Sequence, residues 1–177
     1  ISTFRRFNDR DTRKWASITA AYNKTGNTYS IAGCFISKYQ GEQNAGNRVY
    51  TNDFPIFRYA DLLLLKAEAE VILGQDPSRE INQVRQRAYG SAYNASTDAF
   101  GKQAVDADPT EAILRERYFE FIFEGKRWDD LRRMGDQYVY EYTTVTPAES
   151  YMLLWPVDRN TLTNNPGLTQ NPGYPTF

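Results

Sequence analysis

The chain has 177 residues, 41% hydrophobic and 24% charged, with a formal net charge of −1. That length and mixture suit one folded domain with a real core, and a charge this close to zero excludes the single-sign field of a nucleic-acid binder. Histidine is absent, which removes imidazole acid–base chemistry, Ser–His and Cys–His pairs and histidine-held metals, so neither a metal nor a cofactor is expected.

Residues 1–53 are weakly periodic, with several glycines and many polar aromatics. They read as loops with short strands, at 35–39 and 48–51, where β-branched and aromatic residues gather. Ile31-Ala32-Gly33-Cys34 resembles a lipoprotein cleavage box, but Tyr22 to Ser30 before it is polar, so Cys34 reads as an ordinary internal residue. As the single cysteine it allows no internal disulfide. No apolar run has the length of a membrane span, and the first residues are not a signal peptide.

Helical signals follow. Asp53 and Pro55 precede a helix over 57–73, in which Leu62, Leu65, Ala69 and Ile72 fall at helical spacing, and Gly74 ends it. Asp76-Pro77 starts a second helix to about Tyr89. The short connection predicts an antiparallel pair. Residues 90–108 read as a small polar loop. Asp108-Pro109-Thr110-Glu111 opens a third helix running to Glu124, with Asp108 as cap. A shorter fourth helix spans about 126–134. From 136 to 177 five prolines predict an extended tail. The apolar run Tyr151-Met152-Leu153-Leu154-Trp155 predicts that the tail lies over the domain surface, because it otherwise exposes a large patch.

Two constellations could carry chemistry. Glu116, Glu120 and Glu124 recur at i, i+4 and predict a carboxylate stripe on one helix face. It reads as a catalytic pair for glycoside hydrolysis, Glu116 with Glu120, or as a structural network with arginines such as Arg85, Arg87, Arg115, Arg117 and Arg127. The surrounding aromatics favour the network, because a buried carboxylate there needs a charged partner. Arg58 and Asp61, near the start of the first long helix, read as an ion pair, and Trp128 as a core anchor. In the N-terminal loops, Trp15, Tyr22 and Tyr29 lie among Asn23, Asn27 and other amides. Aromatic faces beside amide hydrogen-bonders suit carbohydrate, since rings stack on CH faces while hydroxyls pair with amides. Trp15, Tyr22, Asn27 and Tyr29 are therefore the candidate ligand-binding residues. Trp15 reads equally as a buried loop anchor.

Four segments resemble one family. Phe57-Arg58-Tyr59-Ala60-Asp61-Leu62-Leu63-Leu64 with Ala67-Glu68-Ala69 is similar to the "RYAD-LL-AEA" helix of SusD/RagB proteins, and Ile81-Asn82-Gln83-Val84-Arg85-Gln86-Arg87-Ala88 to their "INxVRxRAG" helix. Ile113-Leu114-Arg115-Glu116-Arg117, with Glu120-Phe121 and Glu124-Gly125-Lys126-Arg127-Trp128-Asp129-Asp130-Leu131, resembles their "ERxxEFxxEGxRWxDL" segment. The ending, Asn165-Pro166-Gly167-Leu168-Thr169-Gln170-Asn171-Pro172-Gly173-Tyr174, resembles "NPxLxQNPGY". Asp9-Arg10 and Lys38-Tyr39 fit weaker upstream patterns.

The resemblance implies a mainly α, SusD-like fold related to tetratricopeptide repeats, with long irregular loops and a few short strands. It implies an outward-facing outer-membrane lipoprotein whose lipid anchor lies outside these residues. It also implies a partner, a SusC-type TonB-dependent transporter, and a cargo, a glycan or alternatively a peptide, bound without catalysis. The alternatives are a carboxylate-pair glycoside hydrolase and a helical-repeat scaffold for protein partners. Family members carry repeats and much of the ligand surface before this segment, so the 177 residues are expected to fold poorly alone and to leave an apolar face uncovered.

Overall fold

Tyr59–Ile72 (α3) and Ser78–Tyr89 (α4) form the helix pair that the periodicity predicts, with ends within two residues of those expected. The computed structural model describes residues 1–176. It divides into two units, Ile1–Arg127 and Trp128 onward.

In the first unit, Pro109–Glu120 (α6) packs on both α3 and α4. Leu64, Ala67, Ile81, Val84, Ala88, Ala112, Ile113 and Leu114 are buried there. The periodicity signals this because helical spacing aligns apolar side chains on one face. The opposite side of α3 is bare: Tyr59, Leu62 and Ile72 are exposed, as are Phe54, Ile56 and Phe57 just before it.

The first 53 residues are more ordered than their composition suggests. Ser2–Arg6 (α1) and Thr12–Ser17 (α2) are short helices. Ile18–Thr25 (β1) and Thr28–Ile36 (β2) form an antiparallel hairpin in register from Ile18↔Ile36 to Thr25↔Thr28, with a bulge at Ala21/Tyr22. Glu42–Asn44 (β3) and Asn47–Val49 (β4) form a second, smaller hairpin. The expected strand at 35–39 is therefore only the end of β2, and the stretch around Tyr22 to Ser30, read as a loop, is strand and turn. The missed signal is Gly26-Asn27 between Thr25 and Thr28. A two-residue connection with glycine first and φ +61 there fits the right-handed twist of a hairpin. Periodicity fails because this ribbon buries little of either face. Phe4, Phe7, Ile18, Phe119 and Ile122 form an apolar cluster beneath it, with Ile31 and Cys34 of β2 packed against them.

Residues 90–108 are not a plain loop. Two 3-10 turns, Gly90–Ala92 and Ala104–Ala107, flank the single turn Ala95–Asp98 (α5). Each side of this segment delivers a buried carboxylate, Asp98 and Asp106.

The second unit begins in Arg127–Met134 (α7), continues through Asp136–Tyr142 (α8) and a 3-10 segment, Pro147–Leu153, and reaches Arg159–Asn164 (α9). The tail is thus partly helical rather than extended. It folds back on itself: Gln170 brackets the backbone N–H and C=O of Val157 at 2.8 and 3.0 Å, and Asn171 donates to the carbonyl of Trp155 at 2.6 Å. Tyr174 packs edge-on to Tyr151 and donates to the carbonyl of Leu154. Gly173, at φ +91, lies so close to the Tyr151 ring that a Cβ there overlaps it. These contacts explain the asparagine–proline–glycine ending, but they do not bury the apolar run, because Leu154 is 53% and Trp155 84% exposed. Trp128 is half-buried. Among the described residues no helix is long and apolar enough to cross a membrane.

Candidate functional site

The carboxylates of the third long helix form the centre of a buried ion-pair lattice. Glu116 accepts from Arg13 at 2.6 Å on one oxygen and from Arg85 at 3.0 Å on the other. Glu120 accepts from Arg58 at 2.8 Å on Oε1, and from Arg13 and Arg87 on Oε2. Arg13 also grips Asp11, and Arg85 chelates Asp106 at 2.7 and 3.0 Å. Backbone N–H groups of Gly101 and Gln103 complete the shell of Asp106.

Glu124 is not on the helix. α6 ends at Glu120, and Phe123 takes a left-handed φ of +65. Cations stop the helix at that point: Lys38 donates to the carbonyls of Glu120 and Ile122, and Arg58 to that of Glu120. Positive groups at freed C-terminal carbonyls satisfy both hydrogen bonding and the helix dipole. Glu124 still joins the lattice through Arg58 and Lys38. The expected pairing of Arg58 with Asp61 does not form between their side chains. Asp61 accepts from the backbone N–H of Arg58 at 3.1 Å and pairs with Arg117 and Lys126 instead. Helix spacing brings residues near each other, but the lattice offers Arg58 two carboxylates on its other side.

These contacts decide the electrostatics. Burial alone raises Glu120, yet Arg13, Arg87 and Arg58 outweigh it and hold the carboxyl below its ordinary range. Burial likewise raises Asp106, and Arg85 with the two backbone donors reverses it. Asp98 is lowered chiefly by Arg10, which chelates it at 2.8 and 2.9 Å. A glycosidase acid needs the opposite, a carboxyl pushed up so that it stays protonated. A cleft of about 360 Å³ does open over this lattice, lined in part by Lys38, Tyr39, Arg58, Arg87 and Glu120. Its carboxylates, however, are already bound by arginines.

The aromatic candidates divide. Trp15 and Tyr22 line one groove of about 550 Å³, together with the apolar Phe4, Phe7 and Ile31 and the charged Arg5, Asp9 and Lys14. α2 carries Trp15 and β1 carries Tyr22, so the turn from helix into strand at Ser17–Ile18 sets their spacing. Trp15 is 52% exposed, yet its edge meets Phe4 at 5.4 Å and its indole N–H donates to the carbonyl of Asp9 at 3.1 Å. It is therefore held and half-open, which joins the two readings of this residue. Tyr22 is half exposed as well. Asn27 sits in the hairpin turn, and Tyr29, 65% exposed, faces Lys24 instead of the groove. Sequence reasoning missed Phe4, Asp9, Lys14 and Ile31, because they come from α1, the α1–α2 link, α2 and β2. Only the weak Asp9-Arg10 pattern had pointed to that stretch.

Residues 7–152 match the SusD family. The chain is 35% identical over 142 residues to SusD-like protein P38 of Formosa agariphila, covering 78% of this chain and 28% of that protein. It is 29% identical over 155 residues to the starch-binding protein SusD of Bacteroides thetaiotaomicron, covering 80% of this chain and 26% of that one. Among solved structures, B. fragilis NanU superposes with a TM-score of 0.87 at 46% identity, over 98% of this chain and 38% of NanU. The chain thus spans between a quarter and two-fifths of the length of these relatives. With the family matched over residues 7–152 and a relative 35% identical over 78% of its length, this chain belongs to the SusD family.

Proposed function

We propose that this chain takes part in capturing a glycan on the bacterial surface, as a portion of an outward-facing, lipid-anchored outer-membrane protein that passes its cargo to a SusC-type TonB-dependent transporter. It acts by binding, and within these residues the ligand contacts are Trp15 and Tyr22. The observation that carries this reading is the groove in which both aromatic side chains stay half-exposed, while the carboxylates of the buried lattice are already bound by arginines. Support comes from the starch-binding relative, whose name states a polysaccharide ligand. Asn27 and Tyr29 stand outside the groove and carry no contact in this reading.

The test is an oligosaccharide array followed by calorimetry on the best binder. Trp15→Ala and Tyr22→Ala should each weaken binding by roughly 0.5–1.5 kcal/mol, the worth of an aromatic contact beyond simple burial, with little change in melting temperature. Absence of any carbohydrate binding, or turnover that disappears in Glu116→Gln, sinks the reading.

A further inference from the structure

One carboxylate outside the lattice lines the groove. Asp9 has 83% of its side chain exposed. It is nonetheless fastened at two points: its backbone carbonyl accepts the indole N–H of Trp15 at 3.1 Å, and its Oδ1 accepts from the Lys14 ammonium. No described residue donates to its Oδ2.

Lys14 is what holds this arrangement in place. Its side chain is only 6% exposed, and its ammonium lies 4.1 Å from the centre of the Phe4 ring and 5.0 Å from that of Trp15. A cation walled by aromatic faces has little hydration and gains from a fixed anion. Trp15 has given its only donor to Asp9, so the indole offers a ligand nothing but its ring. The groove therefore sets side by side an indole face with no free polar atom and an anchored anion with one oxygen open.

Resting on the reading of the groove as a glycan site, we infer that Asp9 is its specificity-determining acceptor: it takes the hydroxyl hydrogens of a sugar ring stacked on Trp15 and Tyr22. The ligand class is then a pyranoside with adjacent free hydroxyls. An ionised carboxylate only accepts, so it selects donors: one hydroxyl meets the open Oδ2, and its neighbour the lone pair of Oδ1 that the Lys14 ammonium leaves free. Lys14 is a positioning residue, acting through Asp9.

The experiment uses the best binder from an array of plant, bacterial and host oligosaccharides, together with its mono-deoxy analogues, titrated calorimetrically. Asp9→Asn should weaken the parent sugar about tenfold or more, the scale of losing a charge-assisted hydrogen bond. One deoxy analogue should bind the unchanged protein about as weakly, and should lose nothing further on Asp9→Asn. Because that substitution also loosens Lys14, the deoxy series on the unchanged protein is the arm independent of folding. If every deoxy analogue binds like the parent, the inference falls. If Asp9→Asn binds normally while Trp15→Ala is impaired, Asp9 is not the acceptor and the groove reading survives. If the unchanged protein binds no sugar, or Trp15→Ala, Tyr22→Ala and Asp9→Asn all bind normally, the groove reading itself fails and the inference with it.

Discussion

Glu120 and Asp9 are both carboxylates facing a cation, yet their surroundings give them opposite uses. Glu120 is buried and meets three guanidinium groups, two of which, those of Arg13 and Arg58, are each held by a further acid. Asp9 is open and meets one ammonium, with an oxygen to spare. In the lattice, desolvation has been offset by pairing within the protein, so little remains for a ligand. At the groove, pairing is incomplete and the aromatic surface is not fully covered, which is the condition for binding something else. A cluster of charges in a cleft is thus a poor guide to function when its partners are already present.

The contrast can be broken from the lattice side first. Glu120→Ala leaves Arg13, Arg58 and Arg87 without their shared acceptor, and removing one partner of a buried pair costs roughly 3–5 kcal/mol. The melting temperature should fall strongly while the folded fraction keeps its glycan affinity. A variant of normal stability that had lost binding would move Glu120 out of the scaffold and into the site.

Acid should act on the same region. Glu120, Asp98 and Asp106 all have carboxyls lowered in the folded state. Their stabilising effect is complete above the ordinary carboxylate range and is lost as pH falls through the lower folded values. Melting temperature should hold from pH 7 to about 5 and drop below about 4, where unfolded carboxylates begin to protonate. A stability that rises on acidification would contradict the lattice as described.

In the second unit, Gly173→Ala should cost about 1–2 kcal/mol locally, since it strains a positive φ and pushes on Tyr151. Faster proteolysis within 165–176, with the first unit unaffected, is the expected readout. The smallest effect belongs to Tyr29→Ala, which should leave both glycan affinity and melting temperature within error. A clear loss of affinity would extend the groove to the hairpin tip and sharpen where its boundary lies.

The bare side of α3 bears on the expectation that these residues fold poorly alone. Leu62 and Ile72 on that helix, with Ile56 and Phe57 before it, form the exposed apolar surface that such an expectation requires. Binding of a hydrophobic dye by the 177-residue chain, against a monodisperse cooperative melt, measures whether that surface matters.

Local spacing and short-range capping made the helix pair, the start of α6, the cap at Asp108 and the family motifs legible in the sequence. Asp108 accepts from the N–H groups of Thr110 and Glu111, as its place before Pro109 predicts. Sequence also suggested that the Glu116 stripe would meet arginines, since buried charge must be paired. Which arginines could only come from tertiary structure: Arg13 reaches Glu116 across 103 positions of sequence, and Arg58 reaches Glu124 across 66. Tertiary structure also decided the early end of α6, because the cations that cap it arrive from Lys38 and Arg58 and no local signal announces them. The groove belongs to the same class. Its walls come from two short helices and a hairpin that buries little of either face, so periodicity is silent there. Trp15 and Tyr22 become neighbours, and Tyr29 does not, only once the chain turns at Ser17 and the hairpin twists.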